Sequence, residues 1–257
     1  MSTVQHRAWS VAEMRGLVVS EFRKTLATST WWALLIPGVI LAVAEIASKA
    51  REEHVAFSLA AALGSSLWAL LFGVVSASGE YRHNTITTSY LSAANRPKLL
   101  VAKMICAAVV GAIYGVVCAG AAVAAVPLSG AAYGNEWPWI LAVSGGAVAG
   151  LALWAVIGVG VGTLLRNQVG AVIGVLLCGL AEGIVRLVFK LNGWGHFTYY
   201  LPRGSTKMML YSLAGGEQSS GQFGAATPWW LMLLVTSGYA AVFIVAGIAA
   251  AQRRDIA

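Results

Sequence analysis

Charge is what this chain has least of. Charged side chains make up 11% of its 257 residues, against about 25% in an ordinary soluble domain. Apolar side chains make up 58%, and the mean hydropathy is +0.75. So few charges cannot coat the surface of a soluble globule of this composition; a bilayer can do the coating instead. Aspartate is almost missing, since nine of the ten acids are Glu and the only Asp is Asp255. That excludes a Ser-His-Asp triad, a P-loop magnesium site and an Asp-rich calcium loop. The histidines His6, His54, His83 and His196 have no H-E-x-x-H or other ligand spacing, so no metal is expected. Cys106, Cys118 and Cys178 each lie inside a long apolar run, where a thiol behaves as a small hydrophobe, and no disulfide framework is expected.

Catalytic motifs are missing too. No G-x-x-x-x-G-K-[ST] occurs, and Gly158-Val159-Gly160-Val161-Gly162 lies within an apolar run instead of after a strand. Nor is there a G-x-S-x-G elbow, because Gly216-Glu217-Gln218-Ser219-Ser220-Gly221 has the wrong spacing. The chain therefore reads as a non-enzyme that binds no cofactor of its own. If ATP powers it, ATP and magnesium belong to a partner subunit.

What is present is length of apolar run. Charge-free windows cover 57–77, 104–126, 137–165 and 229–251, each long enough to cross about 30 Å of hydrocarbon at 1.5 Å per residue. Two further runs, 31–47 and 169–189, are interrupted by Glu45 in the first and by Glu182 and Arg186 in the second. The fold class expected is all-α integral membrane, with six transmembrane helices in one domain over 1–257. Laid end to end with the N-terminus inside, the spans put eleven of the 17 Lys and Arg on the cytoplasmic side. The other side receives Lys49, Arg51, Arg186, Lys190, Arg203 and Lys207. The positive-inside rule thus predicts both termini in the cytoplasm. The net charge of +7 falls at the ends of apolar runs, which points to anionic lipid headgroups and not to nucleic acid.

Four features stand out between and within the spans. Residues 11–29 read as an amphipathic interfacial helix, with Val11, Met14, Val18, Phe22 and Leu26 on one stripe, Glu21, Arg23 and Lys24 on other faces, and Trp31 and Trp32 following as an aromatic belt. Residues 80–98 form a polar stretch too long for a turn, in which Ile86, Tyr90 and Leu91 can make an apolar stripe while Arg96, Lys98 and Lys103 anchor the returning chain to headgroups. Residues 191–228 combine many aromatics with a Gly/Ser-rich tail, which predicts an interfacial or re-entrant short helix. Glu182 and Arg186 are spaced i, i+4 in the favourable order for a helical pair, either a self-satisfied pair or the polar lining of an outward exit. Gly111 and Gly115, Gly146 and Gly150, Gly170 and Gly174, and Gly179 and Gly183 are small-residue pairs suited to close helix packing.

Several segments together resemble the ABC-2 type permeases, the six-helix membrane subunits of ATP-binding-cassette exporters of the type V fold. Glu21-Phe22-Arg23-Lys24 followed by Trp31 looks like the family's connecting helix before the first span. Glu80-Tyr81-Arg82 with Thr85-Ile86, and then Arg96 through Lys103, looks like its E-Y-R-x-x-T-I segment and the basic stretch ending in A-K, although here Arg96 precedes Pro97 where the family's proline usually comes first. Gly158 through Asn167 resembles the small-residue run closing the fourth span, Leu201-Pro202-Arg203-Gly204 an outer-loop segment, and Arg253-Arg254-Asp255-Ile256 a common ending. The resemblance implies that Glu80, Tyr81, Arg82, Thr85, Ile86, Thr88, Leu91, Arg96, Lys98 and Lys103 belong to a coupling helix docking on an ATPase subunit. It further implies a plasma-membrane permease that works with a second copy or a related permease, exporting a hydrophobic or amphipathic drug, peptide or lipid-like molecule. The alternative expectation is an ion- or proton-coupled secondary transporter working without an ATPase.

Overall fold

The computed structural model describes residues 11–51, 54–64, 66–82, 96–165, 167–215 and 227–253. Nine α-helices follow in chain order among them: α1 (Val11–Ala27), α2 (Thr30–Lys49), α3 (Val55–Leu63), α4 (Leu67–Arg82), α5 (Arg96–Ala125), α6 (Trp137–Leu165), α7 (Gln168–Leu191), α8 (Pro202–Leu213) and α9 (Trp229–Arg253). Single 3-10 turns at Val126–Ser129 and Gly195–Tyr200 complete the regular structure, and no strand occurs among the described residues. Thr30–Lys49, Val55–Gly79, Pro97–Ser129, Trp137–Leu165, Gln168–Leu191 and Trp229–Ala250 are long and apolar enough to cross a membrane. The chain is an all-helical, multi-pass membrane protein.

The local causes of these helices are legible. Pro97 stands in the first turn of α5, where its missing N–H breaks no helical bond. The Asn167 carboxamide accepts the Gly170 N–H at 3.1 Å and caps α7 directly after α6 ends. One end of the bundle, here the near end, gathers α1, the starts of α2, α5 and α7, and the ends of α4, α6 and α9. At the far end Trp137, Trp139, Trp194, Trp229 and Trp230 are all about half exposed, a girdle of amphipathic rings suited to a membrane surface.

Helix α6 is the axis of the bundle because its small residues let neighbours touch its backbone. A Cβ on Gly73 of α4 would stand 2.0 Å from the Ala155 carbonyl oxygen, and one on Gly158 would stand 2.2 Å from that of Leu70. Gly111 and Gly115 of α5 meet Leu151 and Val148 in the same way, and Gly160 meets Phe243 of α9. Of the anticipated i, i+4 pairs, Gly111 with Gly115 packs on α6, and Gly146 with Gly150 receives Leu213 and Thr206 of α8. On α7, Gly170 meets only its own cap Asn167, and Gly183 has nothing within 4 Å. The tightest contact between two α-helices, Gly73 against Gly158 and its neighbours, belongs to no pair within one helix.

The second span is not the continuous helix expected over 57–77. Helix α3 ends at Leu63, where the Gly64 N–H closes the last turn on the Ala60 carbonyl, and α4 starts afresh at Leu67 with the Leu70 N–H on the Ser66 carbonyl. Each half joins a different core. The far-half core unites α2, α3, α6 and α8 around Ile46, Leu59, Val143 and Met209, whereas the near-half core unites α4, α5 and α6 around Phe72, Tyr114, Trp154 and Val159.

The region after α7 contains the expected short helix. From Leu191 the chain turns back through Gly195–Tyr200, and α8 then climbs outward: Thr206, near its start, sits beside Gly150, and Leu213, at its end, beside Gly146 nearer the far end of α6. The chain thus folds back as a re-entrant hairpin, whose returning helix is buried in protein at Gly204, Ser205, Thr206, Met208, Met209 and Leu210.

Candidate functional site

At the near end α1 is clasped to α5. The Lys103 ammonium lies 2.6 Å from Glu21 Oε2, with both side chains less than a tenth exposed, and the same carboxylate accepts Lys24 at 2.6 Å. One turn toward the start of α5, Lys98 reaches Glu13 at 3.0 Å. Glu21 therefore does not sit on the polar face assigned to it; it is the most buried residue described on α1, between half-buried Val18, Phe22 and Thr25. Burial by itself would raise its pKa, but Lys103 and then Lys24 outweigh that and hold the carboxyl below the ordinary value of 4.5. Lys98 and Lys103 likewise turn inward onto α1 instead of outward to headgroups, because two acids face them there. Nearby, the Tyr114 hydroxyl donates to the Trp31 carbonyl and ties the start of α2 to α5.

Of the residues anticipated for coupling, Glu80, Tyr81 and Arg82 form the last turn of α4, and Arg96 opens α5. Thr85, Ile86, Thr88 and Leu91 lie outside the described residues. The 80–98 stretch is thus helical at both of its ends, and its second end is the helix that holds α1 through Lys98 and Lys103.

A second polar constellation lies in the far half, within the apolar layer. Arg186 Nη2 donates to Glu182 Oε1 at 2.5 Å, as the i, i+4 spacing predicts. The same oxygen accepts the Arg203 backbone N–H at 3.1 Å, so Glu182 caps the start of α8. Glu182 lies nine residues short of the end of α7, about 14 Å below that end at 1.5 Å per residue. Helix α8 is pinned at this depth by neutral hydrogen bonds, Trp154 Nε1 to Thr206 Oγ1 at 2.8 Å and Ser205 Oγ with Thr236 Oγ1 at 2.9 Å. Gly204 is obligatory there, since a Cβ would stand 1.9 Å from the Thr198 carbonyl oxygen.

Lys207, one residue past Thr206, is the member of this layer that sequence reading placed only as an outer loop cation. Its stem lies over Gly64, Cγ and Cε being 2.9 and 3.3 Å from where a Cβ would stand, at the gap between α3 and α4. Its electrostatic neighbours are the cations Arg186, Arg203 and Lys49 and the acid Glu45. Glu45 is engaged by Lys49 at 2.5 Å. No hydrogen bond or ion pair of the Lys207 ammonium joins it to another described residue. The signal that could have found this site is the Gly64-Ser65-Ser66 run, three turn-forming residues inside an otherwise apolar span.

Compared with known proteins, the chain matches no family model and no curated protein. Its class therefore rests on its own geometry, that of a six-span helical membrane protein with a broken second span and a re-entrant hairpin.

Proposed function

We propose that this chain is the membrane permease of an ABC-2 type exporter in the plasma membrane, with the near end in the cytoplasm. Two such halves, identical or related, would form the path for a hydrophobic or amphipathic substrate, driven by two ATPase subunits that carry the ATP and magnesium. The observation that carries the reading is the Glu21–Lys103 clasp. It fastens an amphipathic helix rigidly to the helix that closes the polar 80–98 stretch, so that a push on that stretch reaches α1 and α5 as one body. The Lys and Arg bias toward the near end supports its cytoplasmic placement.

The test is co-isolation. Gently solubilised from its native membrane, the protein is expected to bring with it an ATP-binding subunit, and purification without one at any salt concentration would overturn the proposal. A sharper version combines Glu80→Lys with Ile86→Asp; the variant should insert normally yet lose ATPase binding. One observation favours the rival, an ion-coupled transporter: Glu45, Glu182, Arg186, Arg203 and Lys207 are ionisable groups on or beside the spans. Transport that persists without the ATPase and follows an imposed ion gradient would establish that reading instead.

A further inference from the structure

We infer that the cluster of cations around Lys207 binds the anionic headgroup of a membrane amphiphile, a phosphate or carboxylate reached from the far-side leaflet. This names the substrate class of the proposed exporter and rests on that reading only for the direction of movement, since binding itself requires no ATPase.

The argument is one of charge and of unused donors. Arg186, Arg203 and Lys207 converge beside Glu182 and Glu45, and both acids are already occupied. Glu182 holds Arg186 Nη2 and the α8 backbone, and Glu45 holds Lys49. Three donor groups remain without an acceptor among the described residues: the Lys207 ammonium, the Arg203 guanidinium and the buried Nε of Arg186. The Arg203 guanidinium lies against Gly179 of α7, with one nitrogen 3.5 Å from where a Cβ would stand, so the small residue leaves it room. Nearby, the carboxyl end of the short helix α3 offers Lys207 only a partial negative charge. Among the described residues these cations gather without full counter-charge, an arrangement that is costly at this depth unless a ligand completes it, and guanidinium and ammonium donors together suit a phosphate or carboxylate.

The surroundings suit the rest of an amphiphile. Helix α7, which carries Gly179 and Arg186, exposes Leu176, Leu180, Ile184 and Leu187, an apolar surface of the kind that lipid chains cover. An anionic head beside Arg186 and Lys207 would leave its apolar part within reach of this surface.

Native mass spectrometry of the full-length protein in neutral detergent tests the inference, with dioctanoyl phosphatidylglycerol as the probe and dioctanoyl phosphatidylcholine as the control of equal chain length. Phosphatidylglycerol is expected to bind tightly at one site per chain. Lys207→Met, which keeps the stem over Gly64 and removes the charge, should weaken that binding about tenfold or more, and Lys207→Arg should largely retain it. Lys190→Ala, at the exposed end of α7, is expected to leave it unchanged. Equal binding of the two lipids, or full binding to a Lys207→Met protein of unchanged melting temperature, would overturn the inference. Millimolar inorganic phosphate added as a competitor separates the two sources of the anion. Failure to displace the lipid supports an amphiphile as the ligand, whereas displacement by phosphate alone would overturn it in favour of a soluble anion. Absence of a co-isolating ATPase would leave this result standing and remove only the export reading.

Discussion

The two ends of the molecule handle buried charge in opposite ways. At the near end Glu21 and Lys103 are both almost wholly buried, and each is the other's partner. In the far half Lys207 is half-buried, its stem over Gly64 and its neighbours mostly like charges, while the adjacent acids are committed elsewhere. Burying an ion is expensive in both places, but a paired ion becomes a clasp, whereas an unpaired one stays available to a ligand. The first arrangement resists change, and the second waits for a counter-charge. Under the two proposals above, that contrast corresponds to a mechanical role for α1 and a recognition role for the cations beside α8.

The contrast is broken most severely by removing one half of the clasp. Lys103→Met leaves the Glu21 carboxylate buried with only the surface-facing Lys24, and should cost about 3 to 5 kcal/mol. Limited proteolysis should then release α1, and adding Glu21→Leu in the same chain should restore much of the loss. Survival of the single variant with an unchanged melting temperature would mean that the clasp holds nothing.

Next in size is the opposite expectation for Lys207. Removing a cation that has no partner among the described residues should not destabilise the protein, so Lys207→Met should hold or raise the melting temperature, with a gain of at most about 3 kcal/mol. A loss as large as that of Lys103→Met would show that the two lysines have the same structural role and erase the distinction between the ends.

Acid sharpens the same comparison. A carboxyl held below its ordinary value stabilises the folded state above that value, and the contribution disappears as pH falls through the depressed one. Glu21 should therefore keep α1 docked at neutral pH and release it only below 4.5. Hydrogen exchange of α1 measured from pH 7 to 3 reads this directly, and release already at pH 6 would contradict the pairing.

The smallest effect concerns the cap of α8. Glu182→Gln retains an acceptor for the Arg203 N–H but loses the charge facing Arg186, and should cost about 0.5 to 2 kcal/mol. It should also raise the affinity of the cation cluster for an anion, because one competing carboxylate is gone. Weaker anion binding in this variant would mean that Glu182 orders the site more than it competes within it.

How much of this was legible beforehand differs from element to element. The bounds of α6 coincide with the charge-free window 137–165, and α1, a short helix after α7 and the Glu182–Arg186 pair were all expected. These are local properties, set by run length, helical period and i, i+4 spacing. The burial of Glu21 was not legible, because the residue that draws it inward lies 82 positions away. Without Lys103 the same glutamate belongs on a polar face. Gly64-Ser65-Ser66 could have been read as a break, but one apolar window running across it was the simpler reading.

What the sequence by itself determined is therefore the number and placement of the membrane-spanning runs. In a bilayer every backbone N–H and C=O must be satisfied, and an apolar run of sufficient length has the helix as its solution. Only the tertiary structure decided which glycines touch a neighbouring backbone, which acid turns inward, and that Lys207 lies at the gap in the second span. Those outcomes depend on which helices become neighbours, and packing between residues far apart in the chain selects those neighbours.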